Sequence, residues 1–148
     1  MSDLKTNAIT HHFVAEITGV DVKALTKNEF NAIYEAWLIY GVLRIRGQQL
    51  DEHELQCFSA KFGPLEEIPM GRLPESAKAK IKNRYVTQLS NIIENGKPIG
   101  GLGNAEASWH SDMTYVETPP PASILLGVEI PATGGDTYFA DQNAALAA

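Results

Sequence analysis

The sequence predicts an α+β fold in which helices cover a mainly antiparallel sheet. Two amphipathic helical patterns, each opened by a capping box, lie between Thr26 and Phe62. Strand-prone runs separated by proline and glycine then follow from Trp109 onward. The chain has 148 residues, 44% hydrophobic and 20% charged, which suits one globular domain over residues 1–148 that can bury a core.

The first helix opens at Thr26-Lys27-Asn28-Glu29, where the threonine and glutamate side chains can each satisfy a backbone N–H. Phe30, Ile33, Tyr34, Trp37 and Leu38 recur at helical spacing and are expected in the core, with Gly41 closing the helix. Val42 to Arg46 reads as a strand that stops at Gly47. Asp51 and Glu54 form a second capping box; Leu55, Phe58 and Phe62 line one face, and Gly63-Pro64 ends that helix. Cys57 is the only cysteine, so neither an internal disulfide nor a cysteine-cluster metal site fits one chain; beside Leu55 and Phe58 it reads as a partly buried, inert thiol.

Residues 75–82 carry the composition of a short charged helix, and Val86 to Ile93 that of a strand. Asn95-Gly96 and Gly100-Gly101-Leu102-Gly103 are permissive backbone without the third glycine of a dinucleotide fingerprint. Trp109–Val116, Ser123–Ile130 and Thr137–Ala140 are β-prone, divided by Pro119-Pro120-Pro121 and the turn Thr133-Gly134-Gly135-Asp136. Asp141 onward resembles the first turn of another helix.

Composition excludes several functions. The formal charge of −6 offers no basic stripe for a phosphate backbone, so no nucleic-acid partner is expected. No apolar run approaches the roughly 18 residues of a membrane span, and the polar start MSDLKTN is not a signal peptide, so a cytoplasmic location without membrane association is expected.

The chemistry concentrates in SWHSDMTY, residues 108–115. On a strand, positions i and i+2 share a face, which would set the His110 imidazole beside the Asp112 carboxylate with Ser111 pointing away. Such a pair is either a polar strand end facing water or two ligands of a facial triad, which needs one more histidine and leaves three coordination positions open on Fe(II). Trp109 reads as a core or site-wall aromatic, and His11, His12 and His53 as surface residues.

Two longer stretches bear on that choice. WHSDMTYVETPPPASILLGVEIPATGGDTYFAD resembles the metal-bearing segment of the TauD/TfdA family of Fe(II)/2-oxoglutarate-dependent dioxygenases, and GVLRIRGQQLDEHELQCFSAKFGPL resembles that family's N-terminal strand–helix segment. The resemblance implies the N-terminal part of a double-stranded β-helix with flanking helices. It implies His110 and Asp112 as iron ligands and Thr137 as a hydroxyl contact to a 2-oxoglutarate carboxylate. It also implies Fe(II) as metal, 2-oxoglutarate as co-substrate, and O2 and a small organic molecule as partners, with succinate and CO2 released.

The same resemblance places a distal histidine and a 2-oxoglutarate-binding arginine downstream, yet no histidine follows Asp112 and the last arginine is Arg84. The 148 residues are therefore expected to form an incomplete β-helix, to bind Fe(II) weakly and to turn over nothing alone. Uncovered apolar residues such as Ile124, Leu125, Leu126 and Val128 favour self-association into a homo-oligomer. Two other classes stay open: a truncated, non-catalytic binding or assembly module, and a metal-dependent hydrolase using His110 and Asp112. Aligning KFGPLEEIP sets Ile68 where the taurine-using branch has a sulfonate-gripping histidine, and Glu106 where it has an asparagine. Neither suits an anionic sulfonate, so taurine is not the expected substrate.

Overall fold

The computed structural model describes residues 3–67, 78, 81, 83–102 and 108–148. They belong to two compact units, Met1–Gln49 with Leu125–Ala148, and Leu50–Ile124.

The first unit contains a three-stranded sheet, β1 (Lys5–Ala8), β2 (Val14–Thr18) and β3 (Val42–Ile45), in that order. β1 runs antiparallel to β2, and β2 runs parallel to β3. The expectation of a mainly antiparallel sheet is corrected here: β2 and β3 are joined by α1 (Lys27–Tyr40), and a helical crossover delivers the second strand in the same direction as the first. β2 is the central strand, and its alternation places Ala15 and Ile17 in the interior, both fully buried. α1 lies against β2 and β3 and contributes Ile33 and Ala36 to the buried set. Leu38, expected in the core, is 65% exposed, because it falls to one side of the line through Ile33 and Ala36.

Both capping boxes form. At α1, Glu29 N–H donates to Thr26 Oγ1 at 3.3 Å and Thr26 N–H donates to Glu29 Oε2 at 2.8 Å. Gly41 closes the helix at φ 74°, its N–H donating to the Trp37 carbonyl. Thr26→Ala is expected to lower stability by about 1 kcal/mol in urea unfolding. An unchanged midpoint would mean that the box contributes nothing to α1.

On β2, Glu16 Oε2 accepts from Arg44 Nη2 at 2.9 Å and from Arg46 Nε at 3.2 Å. Desolvation pushes the Glu16 carboxyl up, and the two guanidiniums outweigh it, so its pKa lies below the ordinary carboxylate value. A 3-10 turn, Val22–Ala24, is held by Gln48, whose Oε1 accepts from Val22 N–H and whose Nε2 donates to the Val20 and Arg46 carbonyls.

In the second unit, α2 (Glu52–Ser59) carries Leu55 and Phe58 buried, with Phe58 edge-on to Phe62 at 5.4 Å. Cys57, expected to be partly buried, is exposed: two residues past Leu55 is about 200° around the helix, on the opposite face. The expected strand over Val86–Ile93 is replaced by β4 (Leu89–Ser90) and β5 (Ile93–Glu94). β5 forms a two-residue hairpin with β6 (Lys97–Pro98), and β4 pairs in parallel with β7 (Gly101–Leu102). Asn95 and Gly96, at φ 50° and 74°, are both left-handed, as the hairpin turn between Glu94 and Lys97 requires. The helix expected over 75–82 lies outside the described residues.

The three β-prone runs after residue 108 are not ladder strands. Met113 at φ 55° leaves the β region and Val116 N–H donates to the Met113 carbonyl, so Trp109–Val116 bends into a turn. Ser123–Ile130 and Thr137–Ala140 pair with no strand among the described residues. β propensity describes a side chain that suits a pleated surface, and it makes a strand only where a partner edge is present. The chain continues into α3 (Gln142–Ala147), capped by Asp141, which accepts from Asn143 N–H and Ala144 N–H. Among the described residues no helix is long and apolar enough to cross a membrane.

Candidate metal centre

His110 and Asp112 meet. His110 Nε2 lies 3.1 Å from Asp112 Oδ1, both side chains more than half exposed. The pair stands at the entry to the turn Asp112–Tyr115, in which Met113 is left-handed, and not on a ladder strand.

The outer atom of each residue is also held. His110 Nδ1 lies 2.7 Å from the Ser108 carbonyl. A carbonyl only accepts, so Nδ1 carries the hydrogen and, in the neutral ring, Nε2 keeps its lone pair. On the carboxylate, Ser123 Oγ donates to Asp112 Oδ2 at 2.8 Å. Pro121, two residues before Ser123, lies against Gly63, in the segment that follows α2: a Cβ on Gly63 would come 3.3 Å from Pro121 Cγ. The three prolines have fixed φ, so they form a stiff arm between the turn at Asp112 and the hydroxyl that returns to it.

Two lone-pair atoms, Nε2 and Oδ1, thus face each other, and that arrangement needs a cation between or beside them. A proton is one solution. The Ser108 carbonyl and then the Asp112 carboxylate raise the His110 pKa above the ordinary histidine value by accepting from the charged ring. A metal ion is the other. Adjacent donors of an octahedral ion at about 2.1 Å stand about 3 Å apart, and the observed 3.1 Å matches that spacing. The donor chemistry fits Fe(II), for which one imidazole and one carboxylate are two-thirds of a facial triad. Among the described residues no group of three or more His, Cys, Asp or Glu comes together.

Thr137 belongs to the first unit and is exposed, outside any helix or strand, after a turn in which Gly134 and Gly135 take φ of 76° and 70°. Trp109, expected as a core or site-wall residue, is 72% exposed, since a turn offers no strand face to bury it. His11, His12 and His53 are exposed, and His53 Nε2 lies 3.7 Å from Cys57 Sγ. Ile68 and Glu106 lie outside the described residues. An open depression in the second unit is lined by Glu52, His53, Gln56, Asn83, Arg84 and Tyr85 and does not include His110 or Asp112. Sequence reasoning missed Ser123; its only signal was a hydroxyl at the head of the apolar run ILL.

Comparison with known proteins assigns the class. The profile of the family described as taurine catabolism dioxygenase TauD, TfdA family, matches residues 5–148. The chain belongs to this family. An (S)-phenoxypropionate/alpha-ketoglutarate-dioxygenase of Delftia acidovorans is 31% identical over 131 residues, 88% of this chain and 44% of its own. An alpha-ketoglutarate-dependent sulfate ester dioxygenase of Pseudomonas putida is 32% identical over 145 residues, 97% of this chain and 43% of its own. A crystal structure of a taurine dioxygenase from Burkholderia xenovorans is 30% identical, with a TM-score of 0.40, covering 49% of this chain and 26% of that one. The chain spans under half the length of these curated relatives.

Proposed function

We propose that the chain is the part of an Fe(II)- and 2-oxoglutarate-dependent dioxygenase that bears His110 and Asp112 as two of the protein's metal ligands. The single observation that carries this is the pairing of Nε2 and Oδ1 at 3.1 Å, with the opposite atom of each residue engaged by Ser108 and Ser123. Residues 1–148 then belong to one dioxygenase domain of the double-stranded β-helix type, which the single unbroken profile match over 5–148 supports.

When bound, Fe(II) with 2-oxoglutarate and O2 supplies oxidation of a substrate C–H bond, with release of succinate and CO2. The residues of this chain prepare for that chemistry. The Ser108 carbonyl fixes the His110 tautomer, so that Nε2 has a lone pair to give. Ser123 occupies Oδ2, so that Asp112 presents Oδ1. Thr137 is the hydroxyl that donates to a 2-oxoglutarate carboxylate, and the Gly134-Gly135 turn sets its place.

The substrate is a small organic molecule other than taurine. An apolar Ile68 and an anionic Glu106, where the taurine-using branch has a histidine and an asparagine, cannot grip a sulfonate. Relatives named for phenoxypropionate and for sulfate esters define the panel to test. In the full-length protein with Fe(II), 2-oxoglutarate-dependent succinate formation should be stimulated by an aryloxy acid or an uncharged organic compound and not by taurine. Taurine as the best substrate of the panel would contradict the specificity, and no Fe(II)-dependent succinate with any compound would contradict the reaction.

A further inference from the structure

We propose that Ser123 is a positioning residue of the metal centre, fixing which oxygen of Asp112 faces the metal. This rests on the ligand assignment of His110 and Asp112 given above. An aspartate carboxylate turns about a broad, two-fold χ2, so an unheld Asp112 would exchange Oδ1 and Oδ2 and close on a metal through both. Ser123 Oγ donates to Oδ2 at 2.8 Å while Oδ1 stands 3.1 Å from His110 Nε2. One oxygen is engaged and the other is left facing the imidazole. The bond spans eleven residues of sequence, across the three prolines, so it is no accident of neighbouring positions. It mirrors the Ser108 carbonyl on His110 Nδ1: each ligand is braced at the atom turned away from the metal. Holding Asp112 to one oxygen also keeps a coordination position free for the co-substrate.

The test uses the full-length protein and Mn(II) as a redox-inert probe, read by isothermal titration, with the metal-free thermal midpoint measured beside it. Ser123→Ala should weaken Mn(II) binding by about 10- to 100-fold, the range seen when a group bracing a ligand is lost. Its metal-free midpoint should match the parent, because the hydroxyl is exposed and its removal opens no cavity. Ser123→Thr keeps the hydroxyl, has solvent for the added methyl, and should bind Mn(II) near the parent affinity. Parent-like affinity in Ser123→Ala overturns the inference; so does a loss that Ser123→Thr shares, or one that a fall in the metal-free midpoint accompanies. Asp112→Ala separates the two levels. If it loses Mn(II) while Ser123→Ala does not, only the role of Ser123 fails. If it keeps Mn(II), the ligand assignment fails, and this inference with it.

Discussion

Replacing His110 with alanine is expected to abolish tight Fe(II) or Mn(II) binding by the full-length protein, and Fe(II)-dependent succinate formation with it. The variant deletes Nε2, one of the two lone-pair atoms that stand 3.1 Å apart, and leaves Asp112 Oδ1 with no companion ligand from its own segment. Loss of a direct ligand should exceed the roughly 10- to 100-fold effect of losing a bracing group. His53→Ala is the control. It removes an exposed histidine of the same unit whose described side-chain partner is a thiol, and it should change neither metal affinity nor turnover. Titration calorimetry of both variants decides. Unchanged Mn(II) affinity in His110→Ala, or an equal loss in His53→Ala, would contradict the assignment.

Thr137→Val is expected to raise the apparent KM for 2-oxoglutarate by roughly 10- to 100-fold while Mn(II) affinity stays at the parent value. Valine keeps the β-branched shape and exchanges only the hydroxyl for a methyl. A hydrogen bond to a carboxylate contributes about 1.5 to 3 kcal/mol, and about 1.4 kcal/mol is a factor of ten in affinity. The split between the two ligands is the informative part. A structural role for Thr137 would weaken both, whereas an unchanged dependence on 2-oxoglutarate would remove Thr137 from the site.

What the sequence made legible was local. The capping boxes Thr26–Glu29 and Asp51–Glu54 each close within four residues, so their signal is complete before any tertiary contact forms, and both helices start where expected, although α2 ends at Ser59, short of the expected stop at Gly63-Pro64. β3 was legible for the same reason, as a short apolar run bounded by glycines. The strands β1 and β2 were not seen. Lys5–Ala8 is exposed throughout, polar up to Ala8, and takes its shape from pairing with β2, while Val14–Thr18 does alternate, with Ala15 and Ile17 inward, a faint signal because alanine is a weak marker of a buried face. Direction was misjudged because nothing in a strand's own residues distinguishes parallel from antiparallel; the crossover through α1 decides it.

At the site, the pair was legible and its geometry was not. The i, i+2 spacing singles out His110 and Asp112, and the left-handed Met113 with the turn to Val116 ends the run directly after them, so no ladder strand carries the pair. Ser123 was illegible because its partner lies eleven residues back, and a side-chain hydrogen bond across a proline arm leaves no periodic trace. Ser108 was illegible because its contribution is a backbone carbonyl, which every residue carries.

The most direct test of the central claim watches His110 itself. Long-range proton–nitrogen NMR of the imidazoles, recorded while Zn(II) is added as a diamagnetic stand-in, resolves each ring nitrogen separately. The geometry predicts that His110 holds its hydrogen on Nδ1, donated to Ser108, and that Nε2 alone shifts as metal binds, while His11, His12 and His53 stay unmoved. A His110 Nε2 that ignores the metal while another histidine responds would contradict the assignment of residues 108–115 as a metal centre.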